Sequence, residues 1–327
     1  MRQGQNPAKF VKNVARPKNV TVAVLTYIPF LRGYYEQSLD VLKLCLWSIW
    51  EHTDGPYDLM VFDNGSCQEV VEYLETSFES GLIQYLQLSS RNLGKVGAWN
   101  MILSGAPGEW VVFADSDIFF FPGWLQAHLD LFNHYPDVGT VTGLPRRRRT
   151  TFSDRTLERV AEHPEIEIRQ GHFIPEEWIV DHVRSVGKMN ELKTELERDD
   201  FLLEYRGMQA YVTAQHFQFL VRKEVLKPYL PFDYTRPMGK DVANFDRAIE
   251  SSGLLRIATK ERTIMHMGNR IDPEFIRSLR LEGTEVTVGS PIIPVRKSTW
   301  RRILDWTPVR YVLLGIYNRI FRWYFTT

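Results

Sequence analysis

Residues 110–118 read Trp-Val-Val-Phe-Ala-Asp-Ser-Asp-Ile, an apolar, β-branched and aromatic run that ends in two carboxylates one residue apart. A run this short and this apolar reads as a central strand of a sheet covered on both faces. Its charge, Asp115 and Asp117, then emerges at the carboxyl end of the strand, where open α/β sheets place their ligands. Two carboxylates at one mouth can hold a hard divalent cation or a phosphate-bearing ligand through oxygen. The plain alternative is a strand followed by an Asp-rich turn whose side chains are merely solvated.

The stretches before it repeat one unit. Residues 20–27 (VTVAVLTY) carry a strand signal closed by a Pro- and Gly-containing loop, and Leu39, Leu42, Leu46, Ile49 and Trp50 then recur at helical steps. Residues 57–62 (YDLMVF) form a second strand that ends at the turn Asp63-Asn64-Gly65-Ser66, after which Val70, Val71, Leu74 and Phe78 mark another helical face. A third short strand at 82–88 leads through Arg91-Asn92-Leu93-Gly94-Lys95-Val96-Gly97 into a helix. Strands alternating with helices predict an α/β fold with a mainly parallel, Rossmann-like central sheet covered by helices on both faces. In such a sheet Asp63 and the Asp115–Asp117 pair share one edge, although Asp-Asn-Gly-Ser is also an ordinary turn.

Beyond the acidic tip a helix at 125–135 and a strand at 138–144 continue the pattern, and then the style changes. Four arginines, Arg146 to Arg149, open a charge-rich stretch to about residue 206 without clear strand alternation, which reads as an insertion. The arginine run suits an anionic acceptor such as a lipid diphosphate, the phosphates of a donor, or plain solvent. Strand character returns at 217–222 and 255–258, with a helical pattern at 242–251 between them. Expected boundaries are an N-terminal extension at 1–19, a nucleotide-binding half at 20–145, an acceptor-side insertion at 146–210, a second half at 211–295 and a basic tail at 296–327.

Composition narrows the class. With 13% aromatics, an ordinary 24% of charged residues and a net charge of zero, the chain reads as globular rather than disordered or nucleic-acid-coating. The two cysteines, Cys45 and Cys67, have no metal-ligand spacing and fit a reducing cytosol. The first residues lack the apolar core of a signal peptide, and no apolar stretch reaches the ~18 residues that span a bilayer.

The strand VAVLTY, the Asp63-Asn64-Gly65-Ser66 turn, the Asn92-x-Gly94-x-x-Gly97-x-x-Asn100 helix start and the Asp115-x-Asp117 strand end, in this order, resemble the nucleotide-binding half of family 2 glycosyltransferases with the GT-A fold. The resemblance implies transfer of a sugar, with inversion, from a nucleotide-diphosphate donor to a hydroxyl of a glycan or lipid-linked glycan. It places Thr26, Tyr27 and Asp63 on base and ribose, with Asn92, Gly94 and Asn100 in the same donor site. Asp115 falls on the ribose side, and Asp117 on a Mn²⁺ or Mg²⁺ ion at the diphosphate. Ile28 stands where the family usually has Asn. Lys95, beside the glycines, either reaches a phosphate or sits on the surface. Downstream, Gly239-Lys240-Asp241 is similar to the family's Gly-Glu-Asp segment, with Lys240 replacing Glu, which makes Asp241 the implied general base. Asp246 competes for that role, and capping of the following helix accounts for either carboxylate without chemistry. His266, in Met265-His266-Met267, resembles the histidine that completes the metal shell in many members, and reads equally as a core histidine.

In the tail, Val312, Leu313, Ile316, Ile320, Phe321 and Tyr324 form one helical stripe among seven basic residues and a single acid, Asp305. That composition suits a helix lying on an anionic membrane surface, and equally one packed on the chain's own domain or on a second subunit. Two other functions share the central motif. A haloacid-dehalogenase-like phosphatase also presents Asp-x-Asp at a strand end, normally near the start of its domain, and a non-catalytic binding module would keep the donor site and lose the base.

Overall fold

The computed structural model describes residues 6–147, 154–213, 215–235 and 240–281, together with Ile316 and Arg319. The chain divides into two compact units, Met1–Val286 and Thr287–Thr327. In the second unit only Ile316 and Arg319 are described, both exposed, so apart from Ile316 the apolar stripe expected of the tail lies outside the described residues.

The first unit begins with the expected alternation: β1 (Val20–Thr26), α1 (Ser38–His52), β2 (Tyr57–Asp63), α2 (Gln68–Glu79), β3 (Tyr85–Leu88), α3 (Gly94–Gly105) and β4 (Trp110–Asp115). These four strands pair in parallel in the order β3-β2-β1-β4. Each helical crossover returns the chain to the same side, so the carboxyl ends share one rim. β4 is buried on both faces. Val111 and Phe113 join a cluster with Trp99 and Ile102 of α3, while Val112 and Ala114 are buried on the opposite face.

After β4 come β5 (Ile118–Phe120), α4 (Trp124–His134), β6 (Val138–Thr142), α5 (Asp154–Val160), β7 (Glu167–Gly171), α6 (Glu176–Ser185), α7 (Leu192–Leu196), β8 (Asp200–Tyr205) and β9 (Met208–Val212). The unit closes with β10 (Gln218–Arg222), α8 (Lys223–Leu226), α9 (Ala243–Ser251), β11 (Leu255–Thr259), β12 (Ile264–His266) and α10 (Pro273–Leu281). The main sheet has ten strands, ordered β3-β2-β1-β4-β10-β6-β11-β9-β8-β7. β10, β9 and β7 oppose the rest, so the sheet is mixed and mostly parallel. No described helix is long and apolar enough to cross a membrane.

The insertion corrects the sequence reading. Where no strand alternation was expected, β7, β8 and β9 form an antiparallel extension of the sheet. The middle of β8 is apolar on both faces, with Phe201 and Leu203 facing the α4–α5 cluster and Leu202 facing α6, between Asp200 and Glu204. Burial on both faces abolishes the alternation that would have marked it. The arginine run is also partly consumed here. Arg146 pairs with Glu195 at 3.3 Å, and Arg147 is buried with its Nε 3.8 Å from Asp200. Asp200 in turn accepts the backbone N–H groups of Phe173 and Ile174. Arg147 is thus committed to the fold rather than to a ligand. Replacing it by Met leaves a carboxylate buried beside apolar surface, and breaking such a pair costs about 3–5 kcal/mol. Urea denaturation of Arg147→Met is expected to lose that much stability relative to wild type.

Candidate functional site

The shared rim brings the predicted residues together. In register, Thr26 lies opposite Asp63, and Leu25 opposite Asp115. Asp63 is 1% exposed; its Oδ2 accepts the N–H groups of Gly65 at 3.2 Å and Ser66 at 3.0 Å, which is what a carboxylate at the head of this turn does. Its Oδ1 is buried with no hydrogen-bond partner, as is Thr26 Oγ1. Buried oxygens left unsatisfied side by side are costly and mark a place where a ligand donor fits. Tyr27 is half-buried and edge-on to Tyr35, whose ring also meets Phe30 and Tyr34.

Asp115 ends β4 with its Oδ2 2.5 Å from Lys95 Nζ. Burial pushes the Asp115 carboxyl up, the Lys95 charge opposes this, and Asp117 adds to the rise. Lys95 is therefore an inward-facing cation, also poised over the Trp99 and Phe113 rings, and not a surface lysine. Asp117 leads into β5, which pairs antiparallel with β12 so that His266 lies opposite Ile118. This two-stranded sheet carries His266 Nε2 to 3.4 Å from Asp117 Oδ2, while Asp117 Oδ1 is buried and unpartnered. Among the described residues no cluster of three or more His, Cys, Asp or Glu gathers as a metal site. One carboxylate and one imidazole nitrogen, with an unsatisfied oxygen between solvent and sheet, fit a divalent cation that takes its other oxygens from a ligand and water.

The remaining candidates are placed differently. Asn92 Oδ1 accepts from Asn64 Nδ2 at 3.0 Å and from Gly94 N at 2.7 Å, while Asn64 Oδ1 accepts from Leu93 N at 2.8 Å. These bonds lock the β2 turn to the start of α3. Both ends of the Asn100 amide engage the backbone of Phe232, accepting its N–H at 2.7 Å and donating to its C=O at 2.8 Å. Asn100 therefore holds the 228–235 loop across α3, where a Cβ on Gly97 would come within 2.9 Å of the Tyr234 ring. Asp241 is half-buried before α9, and its Oδ2 accepts the Thr235 N–H at 2.8 Å. Its competitor Asp246 is buried, hydrogen-bonded to His216 at 2.7 Å and ion-paired with Arg256. Burial alone would raise the Asp246 carboxyl, but His216 and Arg256 together hold it below its ordinary value. A carboxylate so engaged is a structural anion and a poor proton acceptor.

One residue of the rim escaped the sequence reading. Tyr34 is 59% exposed, yet partial burial of its hydroxyl and then the charge of Asp117 raise its pKa. Asn269, following β12, donates to the Tyr34 C=O at 2.6 Å and holds the loop there. The available signal was a Tyr-Tyr pair in the loop that leaves β1 at its carboxyl end.

Residues 30–227 match the model of the family described as Glycosyl transferase family 2, which is more than half of the chain. No curated protein matches it in sequence. Among solved structures, the chain is similar to the mannosyltransferase PcManGT from Pyrobaculum calidifontis in complex with GDP-Man and Mn²⁺, at 20% identity and a TM-score of 0.43 over 75% of this chain and 55% of that one. It is also similar to S. aureus TarS in complex with UDP-GlcNAc, at 15% identity and a TM-score of 0.44 over 81% of this chain and 65% of that one. The chain thus spans between about half and two thirds of the length of these two structures.

Burial also lowers the affinity of His216 for a proton below its ordinary value of 6.5. The unfolded chain protonates this histidine more readily than the folded one, so unfolding takes up a proton and stability falls as pH drops below 6.5. The Asp246 contribution is complete above 3.8 and disappears only as pH falls through its lower folded value. Urea midpoints are expected to decline between pH 7 and pH 5 in the wild type, and His216→Gln is expected to flatten that decline.

Proposed function

The chain belongs to glycosyl transferase family 2, and from that membership we propose that it transfers a sugar from a nucleotide-diphosphate donor, with inversion, to a hydroxyl of a glycan or lipid-linked glycan. The observation that carries this reading is the convergence of Asp63, Asp115, Asp117 and His266 on one rim of the sheet. Family membership and the late position of Asp-x-Asp, after three strand–helix units, count against a haloacid-dehalogenase-like phosphatase.

In this proposal the unsatisfied oxygens of Thr26 and Asp63 accept hydrogen bonds from the base and ribose, with Tyr27 beside them. Asp115, held by Lys95, faces the ribose side. Asp117 and His266 hold Mn²⁺ or Mg²⁺, which when bound offsets the charge of the departing diphosphate. Asp241 accepts the proton of the acceptor hydroxyl as its oxygen bonds to the anomeric carbon and the bond from that carbon to the diphosphate oxygen breaks. The engagement of Asp246 with His216 and Arg256 favours Asp241 over it as the base. Asn92, Gly94 and Asn100 serve by fixing the loops that frame the donor.

Two measurements test this. A thermal-shift screen of nucleotide sugars is expected to give, for one base, a rise that grows when Mn²⁺ is added and that is lost in Asp117→Asn, because a ligand that binds only the folded state raises its melting point. No shift with any nucleotide sugar would end the proposal. With the donor in hand, Asp241→Asn is expected to keep the thermal shift while kcat falls about 10²–10⁴-fold, the usual contribution of a positioned base. An unchanged kcat would remove Asp241 from the reaction.

A further inference from the structure

The insertion reaches the candidate metal pair from behind. Helix α6 ends at Ser185, and its last turn is fastened to the segment around β12 at several points. Arg262, just before β12, pairs with Asp181 of α6 at 2.8 Å. The rings of His182 and His266 meet edge-to-face at 5.6 Å, and Phe217 lies against both. Gly268 takes a positive φ of 72°, and a Cβ there would come within 2.4 Å of the Ser185 carbonyl oxygen. Only glycine admits that approach. At the centre of this contact Ser185 Oγ lies 2.9 Å from His266 Nδ1.

The direction of that hydrogen bond follows from proton bookkeeping. Ser185 has one hydroxyl proton, and it is donated to the His182 carbonyl oxygen at 2.8 Å. Toward His266 the serine oxygen can therefore only accept, so the imidazole proton resides on Nδ1. In the neutral ring the lone pair is then on Nε2, the atom 3.4 Å from Asp117 Oδ2. In that neutral form two acceptors face each other, and a cation lying against both relieves the repulsion. A hydrogen bond to the distal nitrogen is also how metal-bound histidines are oriented and made more basic.

We infer that Ser185 is a positioning residue: it fixes His266 in the Nδ1–H tautomer with Nε2 aimed at the metal, so that the insertion supplies the outer shell of the metal site. This rests on the proposed assignment of Asp117 and His266 as metal ligands. The insertion then has a duty on the donor side as well as the acceptor side expected of it, and its helix cannot shift without turning His266.

The test uses the full chain in three forms, wild type, Ser185→Ala and Ser185→Thr, with Asp117→Asn as the reference for the metal site. In the metal-free protein, ¹⁵N histidine spectra should give His266 as the Nδ1–H tautomer in wild type and Ser185→Thr, and as a mixture in Ser185→Ala. Titration with Mn²⁺ alone, followed by the EPR signal of free Mn²⁺, should weaken at least 10-fold in Ser185→Ala, as loss of an outer-shell partner does. Ser185→Thr should recover most of it. Helix content and melting temperature report whether α6 stays docked, and the threonine variant keeps the test valid if alanine disturbs the helix. If Asp117→Asn weakens Mn²⁺ binding while Ser185→Ala leaves both tautomer and affinity unchanged, the inference is overturned and the metal assignment stands. If Asp117→Asn binds Mn²⁺ like wild type, the metal assignment falls and takes the inference with it.

Discussion

The burial of β4 on both faces is the constraint from which the site follows. A strand wedged between apolar clusters can carry charge only where it leaves the sheet, and β4 leaves between Leu25 and Phe217, whose backbone carbonyls accept the N–H groups of Ser116 and Asp115. The parallel crossovers bring the ends of β1 and β2 to the same rim, so Thr26, Asp63 and Asp115 are neighbours by topology rather than by any contact among themselves. The unpartnered oxygens of Thr26 and Asp63 are tolerable because the surrounding core over-determines the backbone that presents them.

A second, smaller pairing converts the rim into a site. β5 departs from the main sheet immediately after Asp117 and is held there by α1, through Ser48 Oγ and His52 Nδ1 on the backbone of Phe120. β12 adds to it antiparallel, which fixes His266 beside Asp117 to within the precision of a strand register. On the other flank, Asn100 and the Asp246–His216–Arg256 network tie the 228–235 loop and α9 to the core beneath α3. The rim beside β1, β2 and β4 is thus stiff, whereas Asp241 stands on a short turn capped from Thr235.

The legible part of this architecture was whatever repeats or ends abruptly. β1, β2 and β4 are apolar runs closed by turn residues or carboxylates, and both strand and rim position follow from that alone. The helices α1 and α2 declare themselves by spacing. β8 was illegible because its apolar run, Phe201 to Leu203 between two acids, is too short inside a charge-rich insertion to show either alternation or a helical period. The Arg147–Asp200 pair was illegible for a related reason: a run of four arginines reads as surface until a partner more than fifty residues away takes one of them inside. Ser185 could not have been found, since a serine ending a helix has no sequence mark that distinguishes it from any other. Asp241 and Asp246 looked alike in sequence, and only three-dimensional partners separate them.

Charge explains why such a rim would need a cation under the proposed function. Lys95 neutralises Asp115 through a short contact and is thereby spent. Asp63 and Asp117 keep one buried oxygen each without a donor. A diphosphate brought to this edge alone would meet like charge at short range in a medium that screens it poorly. A divalent ion held between Asp117 and His266 reverses the sign of the local field, so that the same carboxylates which repel the free donor bind its metal complex. The neutral imidazole is the suitable second ligand for that purpose, because it adds a lone pair without adding another negative charge to be offset. On this view the choice of histidine opposite Asp117, instead of a third carboxylate, sets how much positive charge remains for the leaving group.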